Sequence, residues 1–160
     1  MRRAAVLALL AALATLACTT LRPPPRLPGC PGALVDAAAL PGGDFALRER
    51  LRVSGPDVDL ALDLAVERRG DRLVLVAFDP LGARVFSAVQ VGVEVEADSR
   101  LGRLLPIAPQ TVLRDLHAAR FAAAASDAER VTVERPGCAH RATFTRIEQR
   151  TLPPASGSSH

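Results

Sequence analysis

The stretch VDLALDLAVE, residues 58–67, limits the fold more than any other. Val58, Leu60, Leu62, Leu64 and Val66 alternate with Asp59, Ala61, Asp63, Ala65 and Glu67. Side chains of a strand point alternately to its two faces, so a period of two describes a strand with one face buried and one in water. The preceding DFALRERLRVSG repeats the pattern: Phe45, Leu47, Leu51 and Val53 share one face, and Arg48, Arg50 and Arg52 the other. Ser54-Gly55-Pro56-Asp57 between them has turn chemistry. Arg69-Gly70-Asp71 turns the second strand into RLVLVAF (72–78), an apolar run of strand length. That triplet also serves as an adhesion signal elsewhere, but a hairpin loop already accounts for its Gly and Asp. After Asp79-Pro80-Leu81-Gly82, another turn, ARVFSAVQ and VGVEVEA keep strand character, with Val91, Val93 and Val95 opposite Glu94 and Glu96. Five strands joined by short turns predict an antiparallel meander.

The pattern changes after a Pro-containing loop, 101–109. TVLRDLHAARFAAAAS (111–126) reads as a helix, with Val112, Leu113, Leu116 and Phe121 near one stripe and Pro109 and Thr111 suited to its start. A shorter helix is expected over Ala33–Leu40, ended by Pro41-Gly42-Gly43. VTVE (131–134) and RATFTRIEQR (141–150) read as two more strands, and 151–160 as a disordered tail. The expected fold is α+β: a mostly antiparallel curved sheet, an incomplete half-barrel, with one or two helices on its concave face, spanning 33–150. A cavity between sheet and helix would be apolar, lined by Leu60, Leu62, Leu64, Val74, Val76, Phe86, Leu113, Leu116 and Phe121. The alternative is a helix that fills the core and leaves no cavity.

The N-terminus sets the compartment. Arg2 and Arg3 precede an uncharged run from Ala4 to Ala17, too short to span a bilayer core of ~30 Å as a helix. A charged start, a short apolar middle and a small residue before the cut describe an export signal over 1–17. Thr15, Leu16, Ala17 and Cys18 stand where a bacterial lipoprotein signal has its four-residue processing motif, so the run resembles such a signal and Cys18 becomes the lipidated first residue. Plain secretion, with Cys18 a leftover thiol, is the alternative. Residues 18–32, rich in Pro, read as an extended tether. Thr19 follows the cysteine in place of Asp, which favours the outer membrane over the inner one.

Export reshapes the rest of the composition. All 20 basic side chains are Arg, against 17 acidic ones; loss of Arg2 and Arg3 lowers the formal charge from +3 to +1. With no Trp or Tyr, the chain lacks both the charge and the aromatic platforms of a nucleic-acid binder. Lipid on Cys18 would leave Cys30 and Cys138, in PGCPG and RPGCAH, as an even pair in an oxidising compartment. Both Pro-Gly contexts read as surface loops, and a bridge between the two cysteines is expected, worth about 4 kcal/mol in the chain-entropy account; two unpaired thiols that never meet are the alternative.

Gly70–Ala97, with Leu75, Pro80-Leu81-Gly82 and Phe86, followed by Leu104-Leu105-Pro106 and the Leu113-x-Asp115-Leu116 helix start, resembles the fold of the outer-membrane lipoprotein receptor LolB and the periplasmic carrier LolA. It is more similar still to a family of small uncharacterised bacterial lipoproteins often associated with aryl-polyene biosynthesis clusters. The resemblance covers roughly 44–150. It implies a lipid-binding half-barrel of the cell envelope, although only about two strands follow the helix.

Catalytic motifs are absent: no GxSxG, HExxH, P-loop or GxGxxG occurs. His117 reads as a surface or lid-face residue, and Asp115, two positions away, does not face it; Asp127 is the other acidic candidate near it. His140 has no acidic partner close in sequence, and His160 lies in the tail. No enzyme, cofactor or metal is expected. The expected function is an outer-membrane-anchored periplasmic lipoprotein that binds or transfers a lipid, an acyl group or a lipidated partner. The alternative is a structural or assembly lipoprotein with a filled core, acting through protein contacts. The expected partners are the membrane and a lipid or lipoprotein ligand, with no nucleic acid and a monomeric chain. Inner-membrane anchoring or release into the periplasm are the other locations.

Overall fold

The computed structural model describes residues 25–122 and 128–153; residues 1–17, read as an export signal, and Cys18, Asp127 and His160 lie outside the described residues. Seven strands form one sheet: β1 (Phe45–Gly55), β2 (Val58–Arg69), β3 (Arg72–Phe78), β4 (Arg84–Val91), β5 (Glu94–Ser99), β6 (Arg130–Val133) and β7 (Arg141–Thr151). Their order is β5-β4-β3-β2-β1-β7-β6, every pair antiparallel. The first five are the predicted meander, and the last two add as a hairpin to the free edge of β1.

Alternation decides which side chains face inward. Leu51 pairs with Leu62 and Val53 with Leu60, and the intervening Arg50 and Arg52 point to solvent. There they meet Asp63 and Asp59 at 2.9 and 2.8 Å, cross-strand pairs of opposite charge. The Arg69–Gly70–Asp71–Arg72 link is a two-residue hairpin loop, with Arg69 opposite Arg72 and Gly70 at φ +59°.

One helix, α1 (Pro109–Arg120), packs on the inward face. Pro109 sits in its first turn, where a missing N–H costs nothing. Six strand spacings of ~4.8 Å would set the edges of a flat sheet about 29 Å apart, and a helix is only ~10 Å across. Yet α1 touches β4 and β5 near one edge and β6 and β7 at the other, so the sheet curls around it. Irregularities help it bend. Ile147 of β7 is the extra residue of a bulge opposite Arg48 and Glu49, and Val85 of β4 is another opposite Ala77 and Phe78.

The short helix expected over Ala33–Leu40 is not formed: only a 3-10 turn, Ala37–Ala39, appears. The backbone before it is committed elsewhere. Val35 N–H donates to Nδ1 of His117 at 3.2 Å, and Val35 C=O accepts from Nε2 of Gln90 at 2.7 Å. No helix among the described residues is long and apolar enough to cross a membrane.

Candidate functional site

Three buried polar side chains, Arg68, Gln90 and His117, hold one segment, 26–43, which lies as a strap across the open curved sheet. At its start, Arg26 donates to the carbonyls of Gly102 (2.7 Å) and Arg103 (3.1 Å), and Leu27 N–H to Pro106 (2.7 Å). Cys30 is joined to Cys138 of the β6–β7 loop by a disulfide, with Cα atoms 5.3 Å apart. Cys30 is buried, which corrects the expectation of a surface loop. Farther along, Arg68 donates to the carbonyls of Ala38, Leu40 and Gly43 at 2.8 to 2.9 Å. Gln90 holds Val35 and Gly92. The half of the expected tether that follows Pro25 is therefore part of the folded domain.

Beside the disulfide is a buried ionic cluster. Asp115, on α1, has its Oδ2 2.8 Å from Nε2 of His140, and its Oδ1 accepts from Arg135 at 2.8 Å. Arg135 also donates to the Pro31 carbonyl of the strap. Helix, β6–β7 loop and strap thus meet on one carboxylate. His140, which has no acidic residue close in sequence, takes its acidic partner from 25 residues away. A histidine oriented by a carboxylate is half of a catalytic arrangement. However, Nδ1 of His140 has no hydrogen-bond partner among the described residues, and the neighbouring Cys138 sulfur is tied up in the disulfide. What the cluster shows is a tie between the helix, the β6–β7 loop and the strap.

His117 is buried under the strap and stacks edge-on against Phe121 at 5.3 Å, which corrects its reading as a surface side chain. Loss of hydration pushes its pKa down to about 4. At neutral pH it is uncharged, with Nδ1 as the acceptor for Val35 N–H.

A second buried pair was not foreseen. Glu49 occupies an inward position of β1 and receives both Nε and Nη2 of Arg120, at 2.6 and 3.1 Å. Arg120 also donates to the carbonyls of Ala128 and Glu129, so the pair ties the end of α1 to the approach to β6.

The residues expected to line a cavity separate into two faces. Leu62, Leu64, Phe86, Leu113 and Leu116 are inward and fully buried, packed against Leu75 and Phe144, with Leu60 and Phe121 at the margin. Val74 and Val76 lie on the opposite, outer face. Val66 pairs with Leu75, so Leu73, Leu75 and Ala77 take the inward positions of β3. RLVLVAF is apolar on both faces, and the hairpin register alone decides which half turns in. With Ala46, Ala65 and Glu67, the two valines line an outer depression of about 450 Å³. An open depression of about 690 Å³ runs beside the disulfide, past Ser54, Glu134, His140 and Arg141.

Pro80, Leu81 and Gly82 form the expected β3–β4 turn. Asp79 braces it, accepting from Leu81 N–H and Ala83 N–H at 2.9 Å each, and Gly82 takes φ +85°. Among the described residues no group of three or more His, Cys, Asp or Glu is placed to hold a metal ion.

Comparison with known families finds one match over residues 46–152, to the family described as "Protein of unknown function (DUF3261)", and the chain belongs to it. The match begins inside β1 and ends just after β7, so it covers the whole sheet and α1 but not the strap. No curated protein matches the chain.

Proposed function

We propose, with that family membership as the premise, that this chain is a lipid-anchored protein of the bacterial outer membrane. It is held through Cys18 on the periplasmic face and works through its outer surfaces rather than by enclosing a ligand. The observation that carries the second half is the packing between sheet and helix: Leu64, Leu75, Phe86, Leu113, Leu116 and Phe144 are each at most 2% exposed. An acyl chain would need that layer to part. Three cross-ties oppose this, the Glu49–Arg120 pair, the Asp115 cluster and the disulfide. The first half rests on the Arg2–Cys18 pattern and on the disulfide, a bond suited to an exported chain.

A second reading, binding of a lipid or lipidated partner as in the LolA/LolB-like fold, is favoured by the outer depression at Val74 and Val76, whose lining is mostly apolar. Native mass spectrometry of the full chain, extracted from membranes in mild detergent, separates the two. The expected spectrum shows only covalent lipid at Cys18. Additional lipid lost on Val76→Glu would establish the second reading. Additional lipid retained by Val76→Glu would mean that the core opens, and would overturn the first.

A further inference from the structure

Chain direction sorts the loops of this fold to two ends. The β1–β2, β3–β4 and β6–β7 loops and the segment after β5 lie at one end of the sheet, and the β2–β3 and β4–β5 turns at the other. The second end exposes Val91 and Val93, at 50% and 60%, beside the exposed acidic Glu94; the first end joins exposed leucines to arginines. After β5 it carries Leu101 and Leu104, 43% and 55% exposed, and the neighbouring β3–β4 turn presents Leu81 at 94%. Arg100 precedes Leu101 and Arg103 lies between the two leucines; both are exposed, with no side-chain ion pair among the described residues. Arg84 nearby is paired to Asp98, and Asp79 is used within its own turn.

The strap begins on this same ledge. Arg26 grips the carbonyls of Gly102 and Arg103, so the chain from Cys18 reaches the fold between those exposed groups. Pro25 lies only seven positions after Cys18. Fully extended, that stretch reaches about 25 Å. A lipid on Cys18 therefore keeps this end within that distance of the leaflet.

We infer that the ledge formed by Leu101, Leu104, Arg100 and Arg103, with Leu81 beside it, rests on the anionic phospholipid surface that holds the anchor. The inference rests on the lipidation of Cys18. Leucines entering the acyl boundary and arginines meeting phosphate is the ordinary division of labour at an interface. Since the anchor already holds the chain, these contacts set orientation more than affinity: the 690 Å³ depression beside the disulfide is turned toward the membrane, and the β2–β3 and β4–β5 turns toward the periplasm.

The absence of Trp and Tyr makes the test direct, because one introduced Trp reports alone. Full-length lipidated protein carrying Leu104→Trp is reconstituted in phosphatidylethanolamine–phosphatidylglycerol vesicles with brominated acyl chains. Val93→Trp, at the opposite end and 60% exposed, is the comparison. The expected result is quenching of about half or more at position 104 with a blue-shifted emission, and about a tenth or less at 93. Arg100→Glu with Arg103→Glu should reduce the quenching at 104 by about twofold or more, while flotation with the vesicles is unchanged. Equal quenching at both ends, or none at 104 in protein that floats, overturns the inference and leaves the anchor intact. Protein that neither carries lipid nor floats removes the anchor, and the inference with it.

Discussion

Replacing Glu49 by Leu should cost more stability than any exposed substitution in the domain. The carboxylate lies at an inward position of β1, fully buried, and receives two hydrogen bonds from Arg120. Glu49→Leu leaves Arg120 with its carbonyl partners but removes the carboxylate it is bonded to, and breaking a buried pair in this way costs about 3 kcal/mol. Arg120→Met is worse, at about 5 kcal/mol, because it strands a buried carboxylate and also strips the carbonyls of Ala128 and Glu129. The double variant removes both charges and should lie within about 2 kcal/mol of the parent chain, its remaining cost including the carbonyls of Ala128 and Glu129. Urea unfolding of the oxidised protein, read by far-ultraviolet circular dichroism, gives all three values if the slope with denaturant is unchanged. A single variant that fails to fold while the double one folds is the same result in stronger form. Single costs below about 1 kcal/mol, or a double cost equal to the sum, would refute the account of the pair as an interdependent core element.

Acid sensitivity should trace to His117. Its pKa is 6.5 when free and about 4 when buried, so above pH 6.5 it contributes nothing to the pH dependence. Between 6.5 and 4 the unfolded chain binds a proton that the folded one refuses, and stability falls by up to about 3 kcal/mol as the pH drops. His117→Gln should flatten that limb by close to one proton in the slope of stability against pH; superimposable slopes would contradict the burial argument. Reduction of Cys30–Cys138, residues 108 apart in sequence, should remove about 4–5 kcal/mol and loosen the strap. Trypsin should then cut after Arg26 well before the sheet is lost, and equal cutting in oxidised and reduced protein would argue against the bridge as the strap's fastening.

The parts of this fold that could be read in advance are those written locally. Period-two alternation gave β1 and β2, turn chemistry gave the meander, and the cysteine count gave the bridge. The rest depends on partners distant in sequence. Val74 and Val76 read as core residues from the sequence because an all-apolar strand does not reveal which half faces inward; only the hairpin register does. Asp115 and His140 meet because α1 and the β6–β7 loop converge, which no spacing encodes. The strap stays extended where Ala33–Leu40 promised a helix, since His117 and Gln90 claim the backbone of Val35. One signal was present but unread. Glu49 interrupts Phe45, Leu47, Leu51 and Val53; Arg68 follows Leu62, Leu64 and Val66; Gln90 follows Phe86 and Ala88. Each is a polar residue at an inward position, and each is buried with its partner on another element. A polar residue that keeps step with an apolar face marks where that face is tied to something else.

The central claim is that this domain is fastened to the membrane by lipid at Cys18. Growth of expressing cells with radiolabelled palmitate, followed by precipitation of the protein, tests it most directly. The account predicts label in the parent chain and none in Cys18→Ala, with Cys30 and Cys138 remaining unlabelled and bridged. Absence of label in the parent chain, or equal label in Cys18→Ala, would contradict it.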